Sequence, residues 1–139
     1  MKKPTKEDAE LYLELIQTFS TPSDHEAGNW FMREFTAKDY EEFKTKYPVN
    51  SEGLLNVSRI LAFYEVAGAL VSHGLLNENL LFDASDIAFT WGKLEKIIPG
   101  WQKETSPALW ENAAWLGKRY KVWQKKVWKP NLKWKTSSS

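Results

Sequence analysis

Residues 54–73 read LLNVSRILAFYEVAGALVSH, and this stretch decides the fold. Leu54, Val57, Leu61, Tyr64, Gly68 and Val71 recur at the spacing of one helical face, and Ile60, Phe63, Ala67 and Leu70 carry the apolar surface round its side. A helix apolar over that much of its circumference needs cover on several sides. The stretch therefore predicts the central helix, at about residues 52–73, of an all-α single-domain bundle.

Working towards the amino terminus, Asn50 or Ser51 can cap this helix, and Pro48 closes the segment before it. That segment holds Tyr40, Phe43 and Tyr47 on one face, opened by Thr36 with Asp39. Ser23 with Glu26 reads as the capping box of a short helix burying Ala27, Trp30, Phe31 and Phe35, after a break at Ser20, Thr21 and Pro22. Thr5, followed by Glu7 and Asp8, opens a first helix over about Lys6 to Phe19, with Ala9, Tyr12, Ile16 and Phe19 inward.

Towards the carboxyl terminus, Gly74 stands where a left-handed residue ends the central helix. Asn77 caps a short turn carrying Leu80, Leu81 and Phe82. Asp83 or Ser85 opens a segment with Ile87, Trp91, Leu94 and Ile98 on one face, closed by Pro99 and Gly100. Ser106 and Pro107 open the last helix, with Leu109, Ala113, Leu116, Tyr120 and Trp123 in register. No segment shows a strand period, so the expectation is five to seven helices. The bundle is assigned to residues 1–126. Residues 127–139 form a basic Trp/Lys tail, broken by Pro130 and flexible at its Ser-rich end, and a chain ending at Lys121 is expected to fold.

The 139 residues fit one domain. With no cysteine, neither a disulfide nor a thiolate metal site can form. His25 and His73 lie far apart in sequence and belong to no HExxH pattern, so neither metal nor cofactor is expected. His73 reads instead as a cationic cap at the end of the central helix. Neither GxSxG nor a Gly-rich phosphate loop is present, and no enzyme is expected. Asn56, Arg59, Glu65 and His73 interrupt the most apolar stretch before it reaches the ~20 residues of a membrane span, so the reading expects a soluble, cytoplasmic chain without a transmembrane segment.

Two polar residues inside the apolar stretch need partners. Arg59 and Glu65 are expected to be structural buried polar groups, with Glu65 accepting from an indole such as that of Trp91 or pairing with Arg119. The sharper alternative makes Glu65, with Arg59 or His73, a general acid or base.

Charge is distributed unevenly. Eight of the 19 Lys and Arg follow Glu111, whereas all 18 acids lie at or before it. Among the eight tryptophans, Trp30, Trp91, Trp101, Trp110 and Trp115 suit helix interfaces. Trp123, Trp128 and Trp134 are interleaved with Lys125, Lys126, Lys129, Lys133 and Lys135, which makes these eight residues the candidate binding surface. Such a surface suits an unknown protein partner, or nucleic acid or an anionic membrane through stacking and phosphate neutralisation. The competing expectation folds the tail back so that its rings cover the bundle.

Over about residues 52–117, the positions Phe63, Tyr64, Glu65, Gly68, Gly74, Leu76, Glu78, Leu80, Trp91, Ile98 and Pro99 carry a resemblance. The chain resembles an uncharacterised bacterial family of small helical proteins, a domain of unknown function. The resemblance implies a helical fold and a bacterial or phage origin, and brings no activity with it. Some relatives have an amino-terminal membrane helix, from which this sequence departs.

Overall fold

Thr5 and Asp8 cap each other at the start of the first helix. The Thr5 hydroxyl accepts from the Asp8 N–H at 3.1 Å, and the Asp8 carboxylate accepts from the Thr5 N–H at 2.8 Å. The computed structural model describes residues 3–137, with side chains described through residue 126. Within them the chain forms α1 (Lys6–Thr18), α2 (Pro22–Arg33), α3 (Tyr40–Lys46), α4 (Glu52–Ser72), α5 (Glu78–Ala84), α6 (Ile87–Leu94), α7 (Ile98–Glu104) and α8 (Glu111–Ser137). The fold is all-helical, and α4 is the predicted central helix.

Asp8 also sets the rotation of α1. Its second oxygen accepts from the N–H of Asn77, the residue that caps α5, at 3.0 Å. Residues 8, 11, 12, 15 and 19 share the face turned inward by this tie. Leu15 is accordingly buried and Ile16 exposed, one position away from the expected stripe.

Several boundaries differ from the sequence reading for identifiable reasons. Thr21, not Ser23, caps α2, because Pro22 fits the first helical turn and Asp24 completes the reciprocal cap. Asp39 caps α3 through the Glu42 N–H at 2.9 Å. Pro99 opens α7 instead of closing α6, since its missing N–H is no loss in a first turn. This adds an eighth helix to the expected five to seven. Ser106 accepts from the Ala108 N–H at 3.2 Å and makes a turn only, so α8 starts later than expected. The α8 backbone stays helical through Pro130, where the sequence reading places a break.

The core forms where α2 and α8 pack against α4. Leu61, Trp91, Leu94, Leu116 and Tyr120 are buried as expected, while Tyr64 and Val71 lie half-buried against them. A second aromatic knot joins α2, α3 and α7, with Phe43 standing between Phe35 at 6.2 Å and Trp101 at 5.1 Å. Trp115, expected at an interface, is 40% exposed. With a mean hydropathy of 1.5, Glu52–Ser72 is long and apolar enough to cross a membrane by composition, despite its polar interruptions. In the fold one of those interruptions, Glu65, serves another helix.

Candidate functional site

Helix α8 begins without a cap of its own. The residue before it, Trp110, holds a left-handed φ of 54° and has no side-chain oxygen. Glu65, from the middle of α4, does the capping. Its carboxylate accepts from the N–H groups of Asn112 and Ala113, each at 3.1 Å, and from the Asn112 side-chain amide at 2.7 Å. Those are the orphan donors of a first helical turn, and a carboxylate there also suits the positive end of the helix dipole. One turn along, Gly68 lets the two helices touch, since a β-carbon on it would lie 2.3 Å from the Asn112 carbonyl oxygen.

Glu65 thus has mainly main-chain partners, where the sequence reading looked to an indole or Arg119. Arg119 goes elsewhere: its guanidinium grips Glu78 through two hydrogen bonds of 2.7 Å. The Trp91 indole lies near enough to Glu95 to contribute to its lowered pKa, which Lys121 chiefly causes, yet closes no hydrogen bond of normal geometry.

Trp123 corrects the candidate binding surface. It is 2% exposed, packs on Phe82 and Tyr120, and donates its indole N–H to Asn79 at 2.7 Å. It therefore pairs α8 with α5 one turn beyond the Arg119–Glu78 fork, and helical register holds it inside. Lys125 and Lys126 are exposed, as is Lys118. Trp128, Lys129, Lys133, Trp134 and Lys135 fall outside the residues with described side chains.

An open concavity lies between α2, α4 and the start of α6, and its volume is about 240 Å³. Phe19, Phe31, Phe63 and Phe89 supply its rings, with Phe19 edge-on to Phe63 at 5.7 Å and Phe31 edge-on to Phe89 at 6.2 Å. Tyr64 and Thr90 add hydroxyls 3.4 Å apart, and burial pushes the Tyr64 pKa up to about 12. Gly28 lines the opening. A β-carbon there would meet nothing within 4 Å, so no packing need explains a residue that costs a helix interior about 0.5–1 kcal/mol relative to alanine.

Three charged groups face this pocket: Asp24, Arg59 and Asp86. Asp24 is committed to Thr21, accepting from its N–H at 3.1 Å and its hydroxyl at 2.7 Å, and these bonds hold its pKa below the usual value. Arg59 was expected to be buried. Its side chain is instead 37% exposed, because its position on α4 faces the pocket mouth, and it stands 3.7 Å from Asp24 with no hydrogen bond among the described residues. Asp86 precedes α6 and its carbonyl accepts from the Thr90 N–H and hydroxyl, while its exposed carboxylate makes neither hydrogen bond nor ion pair among the described residues. Lys93 stands behind one wall, donating to the Phe31 and Phe35 carbonyls at 2.9 and 3.2 Å.

The structure does not join Glu65 with Arg59 or His73. Glu65 serves α8, Arg59 the pocket, and His73 is exposed at the end of α4 beside Gly74, whose φ is 73°. His25 is exposed on α2. Among the described residues no cluster of ligating side chains could hold a metal ion. Sequence reasoning missed Asp24, Asp86 and Gly28, for which the only available signal was the unexplained mid-helix glycine.

Fold and site together define an all-α module in which one apolar helix packs between α2 and α8 and caps the latter through Glu65. Residues 4–120 match the family described as Domain of unknown function (DUF4760), and the chain belongs to that family. The match takes in α1 to α3, beyond the stretch that carries the resemblance, and ends before Trp123 and the lysines that follow it. No curated protein matches the chain, and no solved structure does.

Proposed function

We propose that this chain is a non-enzymatic, cytoplasmic interaction module whose contact surface is the basic face of α8. The observation that carries the reading is the exposure of Lys118, Lys125 and Lys126 without an ion-pair partner among the described residues, on a helix with no acid after Glu111. Lys121, by contrast, is paired with Glu95. The carboxylate most open to a catalytic reading, Glu65, is occupied by three N–H donors, which supports a binding role over turnover.

A partner protein with an acidic surface suits these lysines. The second reading is a nucleic acid or anionic membrane, which the same unpaired charge favours. Burial of Trp123 removes one ring from the stacking it would use, so the protein partner is the better fit. The test sets immobilised acidic polypeptide against single-stranded oligonucleotide and anionic vesicles, with Lys118, Lys125 and Lys126 reversed to Glu. Retention on the acidic polypeptide, lost in the reversed variant, is expected. Tighter binding to oligonucleotide, with a log–log salt slope of roughly −2 for three phosphate contacts, would select the second reading. Binding unaffected by charge reversal would remove both.

A further inference from the structure

The pocket between α2, α4 and α6 holds against an aromatic wall one cation, paired by charge with Asp24 but without a hydrogen bond, and one exposed carboxylate without a partner among the described residues. Arg59 keeps all five N–H donors free, because Asp24 stands beyond hydrogen-bond distance and is already bonded to Thr21. A guanidinium held in place by charge but free in its fork is suited to a planar carboxylate. The Asp86 carboxylate is exposed and has no protein donor among the described residues.

We propose that this pocket binds a small apolar zwitterion of the α-amino-acid class, with its carboxylate on Arg59, its ammonium on Asp86 and its side chain among the phenylalanine rings. A simple anion would leave Asp86 unpaired and approach Asp24. A simple cation would leave the Arg59 fork empty. A ligand carrying both charges pairs with both residues and displaces water from each.

The walls agree with this choice. The Lys93 ammonium, 4.8 Å from the Phe89 ring centroid, helps hold that ring in place as a wall of the pocket. The volume of about 240 Å³ is below the ~300–1,000 Å³ of pockets for drug-sized ligands. It suits a single amino acid with an aliphatic or aromatic side chain and excludes a folded peptide. Gly28 completes the account, since the space beside its Cα belongs to the ligand.

Calorimetric titration of the full chain with L-leucine and L-phenylalanine tests this, beside two ligands that each lack one charge, phenethylamine and 3-phenylpropionate. The zwitterions should bind, and each single-charge ligand should bind about tenfold more weakly or worse. Asp86→Asn, which alters a side chain without a partner, should keep its melting temperature and lose about tenfold in affinity. Arg59→Gln should do the same. Gly28→Leu fills the opening without a clash at its β-carbon and should abolish binding in a folded protein. The proposal is overturned if no apolar amino acid binds at roughly 10 mM, if phenethylamine or 3-phenylpropionate binds as well as phenylalanine, or if Asp86→Asn binds as tightly as the parent chain.

Discussion

Gly117 on α8 lies against the indole of Trp91 on α6, so close that a β-carbon on it would come 2.2 Å from Trp91 Cδ2. The glycine sets the distance between the two helices. Gly117→Ala should therefore destabilise the fold by about 1–3 kcal/mol through overpacking, outweighing the small gain in helix propensity. Gly68→Ala should cost more, because its obstacle is the Asn112 carbonyl, which cannot turn aside as a side chain can. Urea denaturation checks both, and an unchanged midpoint for Gly68→Ala would refute the close contact between α4 and α8.

Glu65→Gln keeps the shape and one acceptor oxygen but turns an amide against main-chain N–H groups. Stability should fall by about 1–3 kcal/mol, since at least one buried donor at the start of α8 is left without its acceptor. The loss should appear together with faster amide exchange at Asn112 and Ala113. Exchange unchanged at those two amides would mean that the carboxylate does not hold the helix start.

A stop after Lys121 removes Trp123, with its contacts to Phe82 and Tyr120 and its bond to Asn79. This chain should melt at markedly lower temperature, contrary to the sequence expectation that it folds. Trp123→Ala alone should cost about 3–5 kcal/mol. A stop after Lys126 keeps those contacts and should melt close to the parent chain. Equal melting temperatures for the two truncations would return Trp123 to the list of surface residues.

Acid should destabilise the protein. Asp8 and Asp24 are held below their ordinary value of 3.8, chiefly by bonds to Thr5 and Thr21, and Glu95 below 4.5, chiefly by Lys121. Folded-state values lower than unfolded ones mean that the unfolded chain binds more protons in that range. The contribution is complete above the unfolded values and is lost as pH falls through the folded ones. At the alkaline end the sign is reversed for Tyr64, whose pKa is raised from 10.0 to about 12. Its contribution is complete below pH 10.0 and disappears as pH rises towards 12. Thermal melts across pH should show both losses, and phenolate absorbance should show a late-titrating tyrosine that Tyr64→Phe removes.

Leu61→Ala should cost about 2–5 kcal/mol from lost transfer energy and a residual cavity, because Leu61 is fully buried in the central helix. A loss below ~1 kcal/mol in chemical denaturation would contradict its place in the core.

The central helix was legible because its apolar surface exceeds one stripe, and only a helix packed on several sides uses such a surface. Local chemistry was harder to read where one residue serves two purposes. Pro22 and Pro99 look like breaks, yet proline suits a first turn as well as it ends a helix. Trp123 sits among lysines and looked like part of a binding tail, but the helical register of Leu116 and Tyr120 continues through it. The partners of Glu65 could not be read from the sequence, since main-chain N–H groups carry no sequence signature. Asp24 and Arg59 come from two helices and Asp86 from the residue before a third, and nothing in their spacing announces that they share a pocket.

The cap that Glu65 places on α8 also orders events in time. Its donors lie 47 and 48 residues further along the chain, so α8 acquires that cap only once the intervening residues have closed a loop on α4. During synthesis α4 leaves the ribosome well before its main cover exists, and its widest apolar face stays open until residues 112–123 follow. The nascent chain is thus most prone to stick to its neighbours in the interval between Ser72 and Trp123, and a pause in translation there would lengthen that exposure.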